Sequence, residues 1–174
     1  MGRIKNSTKL INSTSDLHTT SEDCGLGVDI VDISRFRNIL KRTPSFERRM
    51  FSKSEIAYCE KMNDKVPHLA ARFAAKEAVL KSLGCGFSSG IGYRDIEVVL
   101  EKSNKPTVNL FSRAAEVVQE EGVENISISL SHTSNDAICC ALAIYKNCKP
   151  RKKSEPVDAL VSEFKKMRNA LNDI

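Results

Sequence analysis

Tryptophan is absent from this 174-residue chain, and aromatics together reach only 6%. A buried core must therefore be filled chiefly by Val, Ile, Leu and Ala, and hydrophobic residues at 41% supply enough of them. No run approaches the roughly 20 apolar residues that a membrane-crossing helix requires. No two of the six cysteines (Cys24, Cys59, Cys85, Cys139, Cys140 and Cys148) form a C-x-x-C pair. The three histidines are scattered, so a zinc site is not expected. Internal repeats, low-complexity blocks and a G-x-x-x-x-G-K-[ST] phosphate loop are also missing. The polar N-terminus carries no secretory pattern. These absences predict a cytoplasmic protein in a reducing compartment, without a disulfide framework. Charge of neither sign dominates: 27 basic residues against 22 acidic leave +5. Such an excess favours anionic partners in general and selects none of them.

What is present divides the chain into three. Residues 1–22 are basic at the start, rich in Ser, Thr and Asn, and read as a disordered extension. Residues 23–148 carry the periodic signals of a folded domain. Residues 149–174 open with a charged, proline-flanked linker. There Val157, Leu160, Val161, Phe164, Met167 and Leu171 fall at helical spacing, which predicts an amphipathic C-terminal helix.

Within the middle region, CGLGVDIVDI at Cys24 to Ile33 reads as a buried strand preceded by two glycines. Phe36, Ile39 and Leu40 then give a helical face that Pro44 interrupts. Ser52-Lys53-Ser54-Glu55 is a capping box that opens a short helix to about Met62. The strongest helix runs from Pro67 to a stop at Gly84, rich in Ala and Leu. Gly84-Cys85-Gly86 and the following Ser-Gly loop end it. Strands are predicted at Tyr93 to Glu101, Pro106 to Leu110, Asn125 to Ser131 and Ala137 to Tyr145. Ser103-Asn104 and Thr133 to Asp136 turn the two hairpins. Ser112 is expected to cap a further helix that ends at Gly122. Cys139 and Cys140 lie in an apolar run, so at least one should pack as a small hydrophobe.

Several residues could carry chemistry. On the long helix Arg72 and Lys76 share a face, as do Glu77 and Lys81, each pair four apart. Taken alone, ordinary surface ion contacts are the commoner explanation of such pairs. The glycine-rich exit of that helix could present N–H groups to phosphate oxygens, with basic side chains beside it. Asp29 interrupts an apolar strand, where a charge is costly unless it is paired or holds a metal. Asp32 stands where a helix N-cap belongs. His132 ends a strand, a place where sites collect.

Taken together, GLGVDIVDISRF at Gly25 to Phe36, ARFAAKEAVLKSLGCG at Ala71 to Gly86 and ISLSHT at Ile128 to Thr133 resemble the signature segments of the holo-[acyl-carrier-protein] synthases. These are the small bacterial-type 4′-phosphopantetheinyl transferases. FSKSEIAYC at Phe51 to Cys59 fits the intervening segment, and the resemblance covers about Cys24 to Lys146. It implies an α+β fold, a small antiparallel sheet wrapped around a long helix. It also implies a homotrimer with active sites at subunit interfaces. The implied reaction moves 4′-phosphopantetheine from coenzyme A to a serine of an acidic acyl carrier protein, releasing adenosine 3′,5′-bisphosphate.

By the same resemblance Asp29 and Glu77 are Mg²⁺ ligands. Glu77 and Lys81 act in catalysis. Arg72, Lys76, Lys81, Gly84, Gly86, His132 and Thr133 contact coenzyme A, and Arg35, Arg37 and Lys41 dock the carrier. Cys85 stands where the family commonly has threonine, and Asp136 where a bulky residue is often found. Mg²⁺ suits this chemistry, since it is held by one or two carboxylates plus phosphates and water. A rival class is a basic nucleic-acid-binding or protein-interaction module without catalysis. It lacks interleaved aromatics and a reader motif, and it gives Asp29 no role.

Overall fold

The computed structural model describes residues 24–85 and 89–146. The expected N-terminal extension, Gly86, Cys148 and the C-terminal helix lie outside them. The described chain runs β1 (Cys24–Asp32), α1 (Ile33–Arg42), α2 (Ser45–Met50), α3 (Lys53–Cys59), α4 (Lys65–Ser82), β2 (Ile96–Leu100), β3 (Pro106–Leu110), α5 (Ser112–Glu120), β4 (Val123–His132) and β5 (Asp136–Tyr145). A 3₁₀ turn, Tyr93–Asp95, precedes β2. The fold is α+β, with small antiparallel sheets around the long helix α4.

Local chemistry explains the helix boundaries. Asp32 caps α1 by accepting from the Arg35 amide at 2.7 Å. Ser52 and Glu55 form the reciprocal capping box that opens α3. Asp64 caps α4 through the Val66 amide at 3.0 Å. Pro67 sits in the first turn of α4, where its missing N–H has no intrahelical partner to lose. At the other end Cys85 N donates to Leu80 O and Gly84 N to Lys81 O, both at 3.0 Å. That pattern closes a helix through a residue of positive φ, and Gly84 stands there at +64°.

β5 is the centre of a three-stranded sheet ordered β1-β5-β4. Its alternation is strict. Ala137, Cys139, Ala141 and Ala143 are wholly buried, while Cys140 and Leu142 face outward. Burial pushes the Cys139 thiol up to about 12, as suits a small core hydrophobe. The five described cysteines are free thiols.

Helix α4 packs on β1 and β5 with one side and on α1 and α3 with others. Its alanines Ala70, Ala71, Ala74, Ala75 and Ala78 are buried at 3% exposure or less. One core cluster lies between α4, the sheet and α5. A second joins Phe36, Phe51, Cys59 and Leu69, with Phe46 and Phe73 at its margin.

Four expectations change. β1 is an edge strand, and its apolar residues Leu26, Val28 and Ile30 point outward, not into the core. Its helix-facing side is lined by Gly25 and Gly27, because a Cβ there would lie under 2 Å from carbonyl oxygens of α4. Tyr93 to Asp95 form a 3₁₀ turn, so the strand predicted from Tyr93 starts at Ile96. Ser112 is the first residue of α5 and not its cap. Phe111 holds the cap position and offers no side-chain bond. The short helix α2 follows Pro44 in a stretch read as an interruption.

Candidate active site

Two cavities open beside α4. The first, about 530 Å³, is lined by Asp29, Asp32, Arg35, Glu77 and Asp136, with an apolar wall of Phe36, Ile39, Phe46 and Phe73. The second, about 320 Å³, is lined by Tyr58, His68, Arg72, Val98, Leu130 and His132.

Asp29 and Glu77 therefore meet in one cavity although 48 positions separate them in sequence. The glycines of β1 make this possible by letting the strand lie against α4. Asp29 is on the helix-facing side of β1, with its side chain 17% exposed. Its charge is met by Lys81 Nζ at 2.8 Å, and the same ammonium donates to Val28 O at 3.0 Å. Lys81 thus reaches across to the strand. Glu77 accepts a hydrogen bond from the Tyr93 hydroxyl. Burial and the neighbouring carboxylate raise the Tyr93 pKa well above its ordinary value, so this hydroxyl stays a donor at neutral pH.

The second cavity gathers Arg72 and His132. The Arg72 guanidinium lies 4.3 Å from the Tyr58 ring centroid and donates to His68 O at 3.2 Å. Its Nε is buried and has no hydrogen-bond partner. An anion presented to this cavity could meet that donor. The His68 and His132 rings meet edge to face at 5.2 Å. Burial, then the His132 and Arg72 charges, lower the His68 pKa.

Other residues expected at the cofactor already have partners within the chain. Lys76 is wholly buried and uses its ammonium on Glu55 at 2.8 Å and on the Met50 and Tyr93 carbonyls, each at 2.9 Å. Its three donors are occupied, so it has none for a cofactor phosphate. Glu55 completes the network by accepting from the amides of Ser52 at 2.8 Å and Val98 at 3.1 Å. The Gly84 amide closes the helix and is likewise unavailable. The Thr133 hydroxyl accepts from the Asn135 and Asp136 amides at 3.1 Å, holding the β4–β5 turn. Arg37 is paired with Asp64, the cap of α4, whereas Arg35 and Lys41 are exposed.

Sequence reasoning missed Tyr93, because its expected place in a strand gave the ring no relation to α4. The available signal was an aromatic hydroxyl directly after a glycine-rich helix exit. It also missed the burial of Lys76. A charge inside a run of alanines is the pattern of a helix enclosed on all sides, which requires an internal partner.

Known proteins resemble the chain in sequence and in shape. The description of the 4′-phosphopantetheinyl transferase superfamily matches residues 25–143. A holo-[acyl-carrier-protein] synthase of Syntrophus aciditrophicus is 45% identical over 114 residues, covering 65% of this chain and 89% of that protein. The one from Geotalea daltonii is 43% identical over 115 residues, covering 66% and 92%. Among solved structures, the Plasmodium yoelii holo-ACP synthase aligns with TM-score 0.63 and 32% identity, covering 71% of this chain and 95% of its own. The Helicobacter pylori enzyme in complex with coenzyme A aligns with TM-score 0.60 and 32% identity, covering 68% and 98%.

Proposed function

This chain belongs to the 4′-phosphopantetheinyl transferase superfamily, and we propose that it transfers 4′-phosphopantetheine from coenzyme A to a serine of an acyl carrier protein, releasing adenosine 3′,5′-bisphosphate. The observation that carries the site assignment is the meeting of Asp29 and Glu77 in one cavity. Two carboxylates are hard oxygen donors. Among the described residues no cluster of three or more His, Cys, Asp or Glu could hold a metal alone. That donor set fits Mg²⁺, which takes its remaining ligands from substrate phosphates and water. Bound there, Mg²⁺ supplies Lewis-acid stabilisation of the charge that grows on the diphosphate.

The chain's own residues do the rest. Asp29 and Glu77 hold the cation. Lys81 is about half exposed in its pair with Asp29, and pairs of that kind are worth about 0–1 kcal/mol. It can therefore leave Asp29 at little cost and neutralise the diphosphate. Positioning and charge neutralisation of this kind supply most of the catalysis in phosphoryl-type transfer. Arg72, with its unpartnered buried Nε, and His132 bind the nucleotide end of coenzyme A. Arg35, on the rim of the first cavity, and the exposed Lys41 meet the acidic carrier. Arg37 contributes less, because Asp64 already holds it.

The enzyme works as a homotrimer in this reading. Supporting it, the outward face of β1 and β5 is a block of cross-strand apolar pairs: Leu26 with Leu142, Val28 with Cys140, Ile30 with Ile138. Leu26 is 65% exposed and Ile30 63% in the single chain. A contiguous apolar face of this sort marks an interface. In this reading each active site would draw on the Arg72–His132 cavity of one chain and the Asp29–Glu77 cavity of the next. No described helix is long and apolar enough to cross a membrane.

The direct test incubates the protein with coenzyme A, Mg²⁺ and apo-carrier, then weighs the carrier. A gain of roughly 340 Da, the mass of the transferred arm, marks the reaction. An unchanged carrier mass, with folded protein and a competent carrier, overturns it.

A further inference from the structure

We infer that Tyr93 is a positioning residue for the transfer, its hydroxyl fixing the Glu77 carboxylate in the orientation from which that group receives the cation. The inference rests on the role given to Glu77 above. Tyr93 is held at three points by three residues of α4. Its ring stacks on Phe73, with centroids 5.4 Å apart and planes 18° from parallel. Its carbonyl accepts from the buried Lys76 ammonium at 2.9 Å. Its hydroxyl donates to Oε1 of Glu77, the residue next to Lys76.

The turn that carries Tyr93 is itself anchored. Asp95 N donates to Gly92 O at 2.9 Å, Gly92 N to the Asp95 carboxylate at 2.9 Å, and Phe111 N to Asp95 O at 2.8 Å. The buried Glu55–Lys76 pair therefore fixes the tyrosine backbone, and the tyrosine fixes the carboxylate. A glutamate side chain rotates about three bonds. A hydrogen bond on one oxygen stops the terminal group from turning and leaves the second oxygen for a ligand. Ligating carboxylates are commonly oriented in this way. Tyr93 touches neither substrate nor cation in this arrangement and acts through Glu77.

Tyr93→Phe removes one oxygen and keeps the ring on Phe73. Loss of an outer-shell hydrogen bond of this type costs about 10- to 100-fold in metal affinity or activity. Mg²⁺ titrated calorimetrically into the full-length protein loaded with coenzyme A should therefore bind at least about tenfold more weakly in Tyr93→Phe. The transfer kcat at fixed Mg²⁺ should fall with it, while KM for the carrier stays within about twofold. Unchanged Mg²⁺ affinity and kcat would overturn the inference. So would a lowered melting temperature with full Mg²⁺ affinity, which would mark the hydroxyl as a packing group. If the unaltered protein fails to transfer, the reading of its function falls instead. The Mg²⁺ titration would still decide whether Tyr93 supports Glu77.

Discussion

Lys76 and Lys81 stand five positions apart on α4 and experience opposite surroundings. Lys76 is wholly enclosed, and burial lowers its pKa against the opposing pull of Glu55. Lys81 is half in solvent and holds Asp29 loosely. Lys76→Met leaves the Glu55 carboxylate buried without its partner, which should cost about 3–5 kcal/mol in a urea melt. Lys81→Ala should cost about 1 kcal/mol or less on the same measurement. Transfer should respond in the other order. In a carrier-mass assay Lys81→Ala should lose at least about 100-fold, the loss expected for a group that stabilises developing charge. Sequence places both lysines on the helix, and the family resemblance gives both to the cofactor. Separating them needs the three-dimensional fact that α4 is enclosed where Lys76 lies and opens at its last turn.

At the level of elements, spacing and punctuation predicted much of what is seen. The capping box at Ser52, the long helix before Gly84, both hairpins and the central strand β5 were all legible, because local rules set them. The inverted faces of β1 were not. Apolar residues that alternate with Gly and Asp look alike whether the apolar side is covered by the chain's own core or by another molecule. The 3₁₀ turn at Tyr93 was hidden for a related reason, since its alternation continues that of β2.

Two elements also give tests. Asp32 caps α1 and Asp64 caps α4, and hydrogen bonds hold both carboxyls below the ordinary aspartate value of 3.8. For Asp32 the main cause is the Arg35 amide, and for Asp64 it is the Arg37 side chain. A depressed folded-state pKa adds stability above the unfolded value and loses it as pH falls through the folded one. The melting temperature should therefore hold steady from pH 8 to about 5 and decline below about 4. Asp32→Asn with Asp64→Asn keeps both cap acceptors without titrating them, and should flatten that decline. Gly27→Ala probes the contact between β1 and α4. Its new methyl would lie 1.9 Å from Ala78 O and 2.6 Å from Ser82 N. Backbone atoms cannot yield as a side chain does, so a loss of about 3 kcal/mol or more is expected in denaturant melts. Any surviving fold should transfer poorly, because the shift carries Asp29 away from α4.

In the proposed trimer a single chain is not the working unit. A single copy leaves the apolar face of β1 and β5 in water. Val28→Glu puts a charge at the middle of that face, 43% exposed in the isolated chain and opposite Cys140. The native mass in solution should drop from about three times 19.3 kDa to that of a single chain. Transfer should fail while Asp29, Glu77 and Lys81 remain intact. A Val28→Glu protein that stays trimeric, or works as a monomer, would rule out this assembly as the active form.

The alanines and glycines that line the contact of α4 with the sheet have one more consequence. Most protein interiors fail by hollowing, when a large side chain is cut down. The contact of α4 with β1 and β5 is built largely from side chains with little left to cut, so it fails by crowding. Truncation scanning would pass over these positions as silent, although they set the distance between the strand and the helix that carry the two carboxylates. Tolerance here should track added volume, with each extra methyl group prying the catalytic walls apart.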